Sequence, residues 1–176
     1  MAVNFLGKFS TLTRSILKMS DKDEVSVADE IKVLQLYLDI EKVRFNDDFE
    51  YKITTNDFDT ELFKIPSLLL QPYIENAIKH GLLHKEGLKR LLISFTLETP
   101  ELRIVIDDNG IGRKRSMELN AIKNKKHYSY ATQAIEKRVK LLNELAGRKI
   151  TVEYLDETLE DGRVQGTTVI IKIPRQ

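Results

Sequence analysis

Asn76, Lys79 and His80 interrupt an otherwise apolar run, LQPYIENAIKHG, at residues 70–81. On a helix starting near Pro72 the three lie at i, i+3 and i+4 and share one face, while Ile74, Ala77 and Ile78 fall largely on the other. An asparagine carbonyl is a hard oxygen ligand suited to Mg²⁺. A lysine one turn along can meet phosphate oxygens as a point charge. Together they suit a metal-bound polyphosphate, although the wet side of any amphipathic helix would show the same stripe.

Two glycine-bearing segments follow in order. In VIDDNGIG, Gly110 and Gly112 let backbone approach a ligand closely, and Asp108 at a strand end offers a carboxylate that can accept from an adenine amino group. An Asn-Gly turn after a strand would look similar. In GTTVIIKIP, Gly166 and Thr167 open a strand, as in many hairpins. Each signal alone is weak, and their fixed order makes them stronger together.

The elements that must hold these residues can be read from periodicity. Phe5, Phe9, Leu12, Ile16 and Met19 form one helical stripe over residues 2–19. Ser26 is placed to N-cap a second helix from Val27 to about Asn46, with Val27, Ile31, Leu34, Leu38 and Phe45 on its apolar face. FEYKITT, RLLISFTLE and ELRIVIDD then carry strand character. Pro72 predicts a short turn over 66–71 with the main helix beginning near it, and Gly81 suits a left-handed cap. Residues 113–130 are polar and lysine-rich with little periodicity, which predicts a mobile loop with at most one short helix. ATQAIEKRVKLLNELAG gives a helix with Gly147 past its end, and KITVEYLDE and TTVIIKI close the chain as strands around Asp161-Gly162. The order implies an α/β (α+β) two-layer sandwich with a mixed sheet covered on one face, preceded by a helical hairpin.

Composition narrows the partners. The 176 residues, 41% of them apolar, can bury a real core. Twenty-eight basic and 27 acidic residues leave a formal charge of +1, so no strong field draws the chain toward nucleic acid or anionic lipid. There is no cysteine, which fits a reducing compartment. No apolar run approaches the roughly 18 to 20 residues of a membrane span, so no membrane contact is expected from this segment.

LLLQPYIENAIKHG resembles the N box, VIDDNGIG the first glycine box and GTTVIIKIP the last glycine box of the Bergerat-fold ATP-binding domain of histidine kinases. With YLDIEKVRF before them, they are similar to the LytS/YehU-type sensor kinases in particular, and AVNFLGKFSTLTRSIL resembles the second helix of that family's dimerisation and phosphoacceptor region. The resemblance implies a division into residues 1–46, part of that helical region, and 47–176, the ATP-binding domain. It further implies that Asn76 coordinates Mg²⁺, that Asp108 holds the adenine of ATP, and that Lys79 and His80 face the phosphates or their lid. Gly110 and Gly112 would shape the adenine pocket, Gly166 and Thr167 would support it, and Arg113 to Tyr130 would be the lid. Arg138 matches the family's arginine in the helix after the lid, where a structural salt bridge is a competing role. A response regulator of LytTR type, a homodimer, and the cytoplasmic portion of a membrane-bound sensor are the implied context.

The sequence departs from the family twice. HYSYATQ has Ala131 where the second glycine box usually has glycine, although Ser129 and Thr132 can still donate hydrogen bonds to phosphate. The phosphoacceptor histidine belongs to a PHFLFN-like box that is absent here, and residues 1–79 contain no histidine. The three histidines present, His80, His84 and His127, lie in or near the N box and the lid, so the chain reads as a truncated kinase that binds ATP without labelling itself. Where hydrolysing relatives of this fold carry a water-activating glutamate, this chain has Pro72, although Glu75 adjoins Asn76. An anti-sigma-type serine kinase and a catalytically impaired dimeric interaction module remain alternatives.

Overall fold

The structure is a computed structural model that describes residues 2–45, 48–122, 127–147, 149–158 and 164–175; for 2–5, 120–122, 127–132, 146, 157–158 and 164 it describes the backbone alone. Its elements are α1 (Ala2–Ser20), β1 (Glu24–Ser26), α2 (Val27–Arg44), β2 (Phe49–Thr55), β3 (Lys64–Pro66), α3 (Gln71–Asn76), β4 (Lys89–Glu98), β5 (Glu101–Asp108), α4 (Arg113–Ile122), α5 (His127–Ala146), β6 (Thr151–Thr158) and β7 (Val164–Pro174). Five strands form one sheet in the order β2-β4-β5-β7-β6. β2 and β4 are parallel and the other neighbours antiparallel, the mixed sheet that the sequence implies.

Alternation along the strands fixes the covered face. Leu91, Ile93 and Phe95 of β4, Leu102, Ile104 and Ile106 of β5, and Val169, Ile171 and Ile173 of β7 are buried. They meet Ile74, Ile78 and Leu82 from the segment around α3, so the site helix is held by the apolar residues opposite its polar stripe.

α1 and α2 form the expected hairpin. Ser26 caps α2 as its spacing implies, its hydroxyl accepting from Asp29 N at 3.1 Å. Leu12 and Met19 of the α1 stripe are buried, whereas Phe9 and the neighbouring Leu6 stay exposed.

Three expectations change. β1 and β3, two short strands that no periodicity announces, pair antiparallel as a small separate sheet. Residues 113–130 are not a loop where described, since α4 occupies 113–122 and α5 already begins at His127. Arg, Lys, Met, Glu, Leu and Ala carry α4 by propensity rather than by an apolar stripe. Gly81 is not a left-handed cap either: it has φ −94° and closes a π-helical turn over Ala77–Gly81 that leads into a 3₁₀ turn over Leu82–His84. The Asp161-Gly162 turn lies outside the described residues.

Candidate functional site

Asp108 sits where β5 stops. Leu102, Ile104 and Ile106 occupy the inward positions before it, so the pleat carries a carboxylate into the next core position. Its neighbour Asp107 points to the other face, where it accepts from Thr168 Oγ1 at 2.8 Å. Asp108 is buried, accepts from Gly110 N at 2.8 Å, and stands in register with the buried Thr167 of β7.

Two glycines make room for this carboxylate and a third for the backbone behind it. A Cβ on Gly81 would lie 2.8 Å from Asp108 Oδ1, and one on Gly110 would lie 2.6 Å from the same oxygen and from Gly81 Cα. Gly166, at φ +127°, passes so close to the Asp108 carbonyl that no side chain fits there. The Ile111 amide donates to Gly81 O at 3.3 Å, tying the DNGIG loop to the end of the site helix. Asn109 continues the β4 contact, its side chain accepting from Arg90 N at 2.8 Å.

A cavity of about 40 Å³, room for a few waters, opens beside Asp108. Asn76, Ala77, His80 and Gly81 line it from the helix, and Gly112 and Thr167 from the loop and sheet. Tyr73, Arg113, Ser116, Tyr154 and Val169 complete its wall. The Arg113 guanidinium lies 4.6 Å from the centre of the Tyr154 ring, and Tyr73 and Tyr154 rings are 6.4 Å apart. Burial, reinforced by Tyr154, raises the Tyr73 phenol above its ordinary value. Its hydroxyl is buried with no hydrogen-bond partner among the described residues.

The site residues read from the sequence separate into groups. Asn76, His80, Asp108, Gly112 and Thr167 share the cavity, whereas Gly110 and Gly166 pack behind Asp108. Lys79 does not line it: exposed, it pairs with Glu75 one turn back. The π turn accounts for this, because its wider i→i+5 winding keeps residue i+4 near Asn76 and swings residue i+3 away. Ser129 and Thr132 fall on the α5 backbone, and their side chains are outside the described residues.

Sequence reading did not single out Tyr73 or Tyr154, and it placed Arg113 and Ser116 only within the implied lid. Tyr154 could have been found, since Ile150, Val152 and Tyr154 alternate toward the core. Arg113 and Ser116 depend on α4, which has no apolar period to announce it.

Curated relatives match part of this chain. The chain is 34% identical over 111 residues to the sensor protein LytS of Oceanobacillus iheyensis, covering 63% of this chain and 19% of that one. It is 37% identical over 100 residues to the sensor histidine kinase BtsS of Escherichia coli K12, covering 57% and 18%. Over these stretches the chain is similar to sensor histidine kinases. The family model described as histidine kinase matches residues 1–49, the helical hairpin and the start of β2. The matched part spans only about a fifth of these relatives' length. Among solved structures, the nucleotide-free catalytic domain of the histidine kinase ThkA superposes with TM-score 0.53 at 14% identity, covering 86% of this chain and 95% of that one. ThkA in complex with the response regulator TrrA superposes with TM-score 0.54 at 15% identity, covering 99% and 49%. The histidine kinase catalytic fold is therefore shared. No described helix is long and apolar enough to cross a membrane.

Proposed function

We propose that the chain is the ATP-binding catalytic part of a two-component sensor histidine kinase, with residues 1–46 belonging to the dimerisation region and 47–176 to the nucleotide-binding domain. The observation that carries this reading is the buried Asp108 carboxylate, ringed by glycines and facing a cavity shared with Asn76 and His80. A carboxylate at that depth suits an exocyclic amine, which gives two hydrogens and carries no charge. Tyr73, whose buried hydroxyl has no hydrogen-bond partner among the described residues, lines the same cavity.

The residues fit Mg²⁺ in a limited way. No described group of three His, Asp or Glu side chains could cage a metal. Mg²⁺ rarely needs a cage when phosphates and waters supply most of its ligands, so one carbonyl from Asn76 suffices. Bound there, the ion neutralises phosphate charge during transfer. Asp108 orients the base, Gly112 and Thr167 shape the pocket floor, and His80 closes it from the helix. Lys79 is a rim charge that must leave Glu75 to meet a phosphate. In the whole kinase the γ-phosphoryl passes to a histidine nitrogen on another segment, then to a response regulator, in this reading one of LytTR type.

A homodimer fits the exposed apolar groove between α1 and α2, lined by Leu6, Phe9, Ile40 and Val43. The protein's place in this reading is the cytoplasmic side of a membrane-bound sensor.

Calorimetric titration of ATP with and without Mg²⁺ tests the core of this proposal. Unaltered chain should bind, Asp108→Ala should abolish binding, and Asn76→Ala should remove mainly its Mg²⁺ dependence. Folded chain that does not bind ATP overturns the reading in favour of an interaction module.

A further inference from the structure

Glu30 lies on α2, away from the cavity, and is 1% exposed. Its carboxylate accepts the Leu68 amide at 3.1 Å and the Leu70 amide at 3.2 Å. The Leu70 carbonyl in turn accepts from Tyr73 N and Ile74 N, the first helical hydrogen bonds of α3. One carboxylate thus holds the residue from which the Asn76 helix starts.

The rest of this short segment is gripped as firmly. Ser67 Oγ donates to Met19 O at 2.7 Å at the end of α1, and Ser67 N donates to Asp23 O at 3.0 Å. From α5, Arg138 Nη2 donates to Ser67 O at 2.6 Å. Between these anchors Leu68 adopts φ +54°, a left-handed conformation that a leucine holds only when its surroundings impose it. A turn that satisfied itself would not need a buried charge from another helix.

We propose that Glu30 is a positioning residue for the cavity, fixing the start of the Asn76 helix through Leu68 and Leu70 and thereby coupling the helical hairpin to the site. This rests on the nucleotide reading for its functional consequence, though not for its structural one. Arg138 ties α5 to the same segment, so displacement of α2 acts on residues 67–70 that α5 also holds. The route to the site itself runs through the start of the Asn76 helix, with the bonds of Leu68 and Leu70 as the element that must change.

The carboxylate must be charged to serve both amides well, because a protonated acid or an amide offers one good acceptor. Burial pushes Glu30 up to about 7, against the lowering pull of its two backbone bonds and of Arg138. Arg138 of α5 is the charged side chain acting on it, and Arg138 also acts on Tyr73 of α3. Residues 67–70 and the end of α1 meet this network through backbone groups and the Ser67 hydroxyl.

The experiment compares unaltered chain with Glu30→Gln and Glu30→Asp. MgATP affinity is measured between about pH 6 and about pH 8.5, and hydrogen exchange over residues 68–78 is measured without nucleotide. ATP also titrates in this range, but it is common to all three measurements, so the difference between profiles isolates Glu30. Expected is an affinity for Glu30→Gln about tenfold weaker at the high end, converging with the unaltered chain at the low end. Glu30→Asp should retain the pH dependence. Superimposable profiles for the unaltered chain and Glu30→Gln overturn the proposal. If the unaltered chain binds no nucleotide, the functional reading fails separately, and exchange decides. Faster exchange at 68–78 in Glu30→Gln with β4 and β5 still protected supports the positioning role, and unchanged exchange removes it. Should Glu30→Gln not fold, Glu30→Asp and the unaltered chain's own exchange below and above about pH 7 give the same two outcomes.

Discussion

The Asp108 carboxylate occupies the space in which a side chain at position 81 would begin: a Cβ on Gly81 would lie 2.8 Å from Oδ1. Gly81 has right-handed backbone angles, so alanine there meets no conformational barrier and its effect isolates the carboxylate's space. Gly81→Ala should fold with a loss of about 1 to 3 kcal/mol from overpacking and lose at least tenfold in nucleotide affinity. Urea denaturation and calorimetry read the two quantities independently. Normal affinity in the folded variant would mean that Asp108 can bind from a displaced position.

Asp107 and Asp108 differ by one position and so face opposite sides of the sheet. Asp108→Ala should abolish nucleotide binding while leaving the core strands intact. Asp107→Ala removes a hydrogen bond to Thr168 on the other face and should cost about 1 kcal/mol of stability with binding unchanged. The pair separates site chemistry from general effects of lost charge at the end of β5, and equal binding losses would contradict the assignment.

This alternation was available in the sequence, as were the hairpin, the Ser26 cap, the mixed sheet and the cavity's Asn76, His80, Asp108, Gly112 and Thr167. The hairpin, cap and sheet follow from local rules of period and capping, whereas the cavity residues came from one helix face, the glycine-bearing segments and the resemblance these carry. The misreadings came where tertiary packing decides. Gly81 looked like a cap because glycine after an apolar helix usually is one, yet it is required by a carboxylate 27 positions away. Lys79 stands outside the cavity wall, paired with Glu75, because a π turn is not written in residue spacing. Glu30 was invisible as a functional residue, since an acidic side chain in the first turn of a helix is ordinarily explained by the helix dipole.

Tyr154 presents its ring to the cavity with Arg113 stacked 4.6 Å from its centre. Tyr154→Phe keeps the ring and should bind ADP within about twofold of the unaltered chain, while Tyr154→Leu should lose about fivefold or more, consistent with roughly 1 kcal/mol for an aromatic contact. Titration with ADP and AMP checks this. Equal losses with both nucleotides locate the effect at the base.

The buried charge of Glu30 also has a consequence for stability, with a definite sign. Its pKa is raised from 4.5 to about 7 in the folded chain, chiefly by burial. The folded state therefore holds a proton that the unfolded state has released between about pH 4.5 and about pH 7, and stability falls as pH rises through that window. The contribution is fully present below the unfolded pKa, is lost by the folded pKa and is flat above it. At about 1.4 kcal/mol per unit the whole effect is roughly 3 kcal/mol. Asp39 behaves oppositely: the Lys8 and Tyr51 contacts outweigh its partial burial and lower its pKa, so its contribution is lost only on further acidification, below the Glu30 window. Urea denaturation at about pH 5 and about pH 8 should show the unaltered chain less stable at the higher value. In Glu30→Gln that component of the difference should vanish. A pH difference that persists undiminished in the variant assigns the titration to another group and leaves Glu30 ionised throughout.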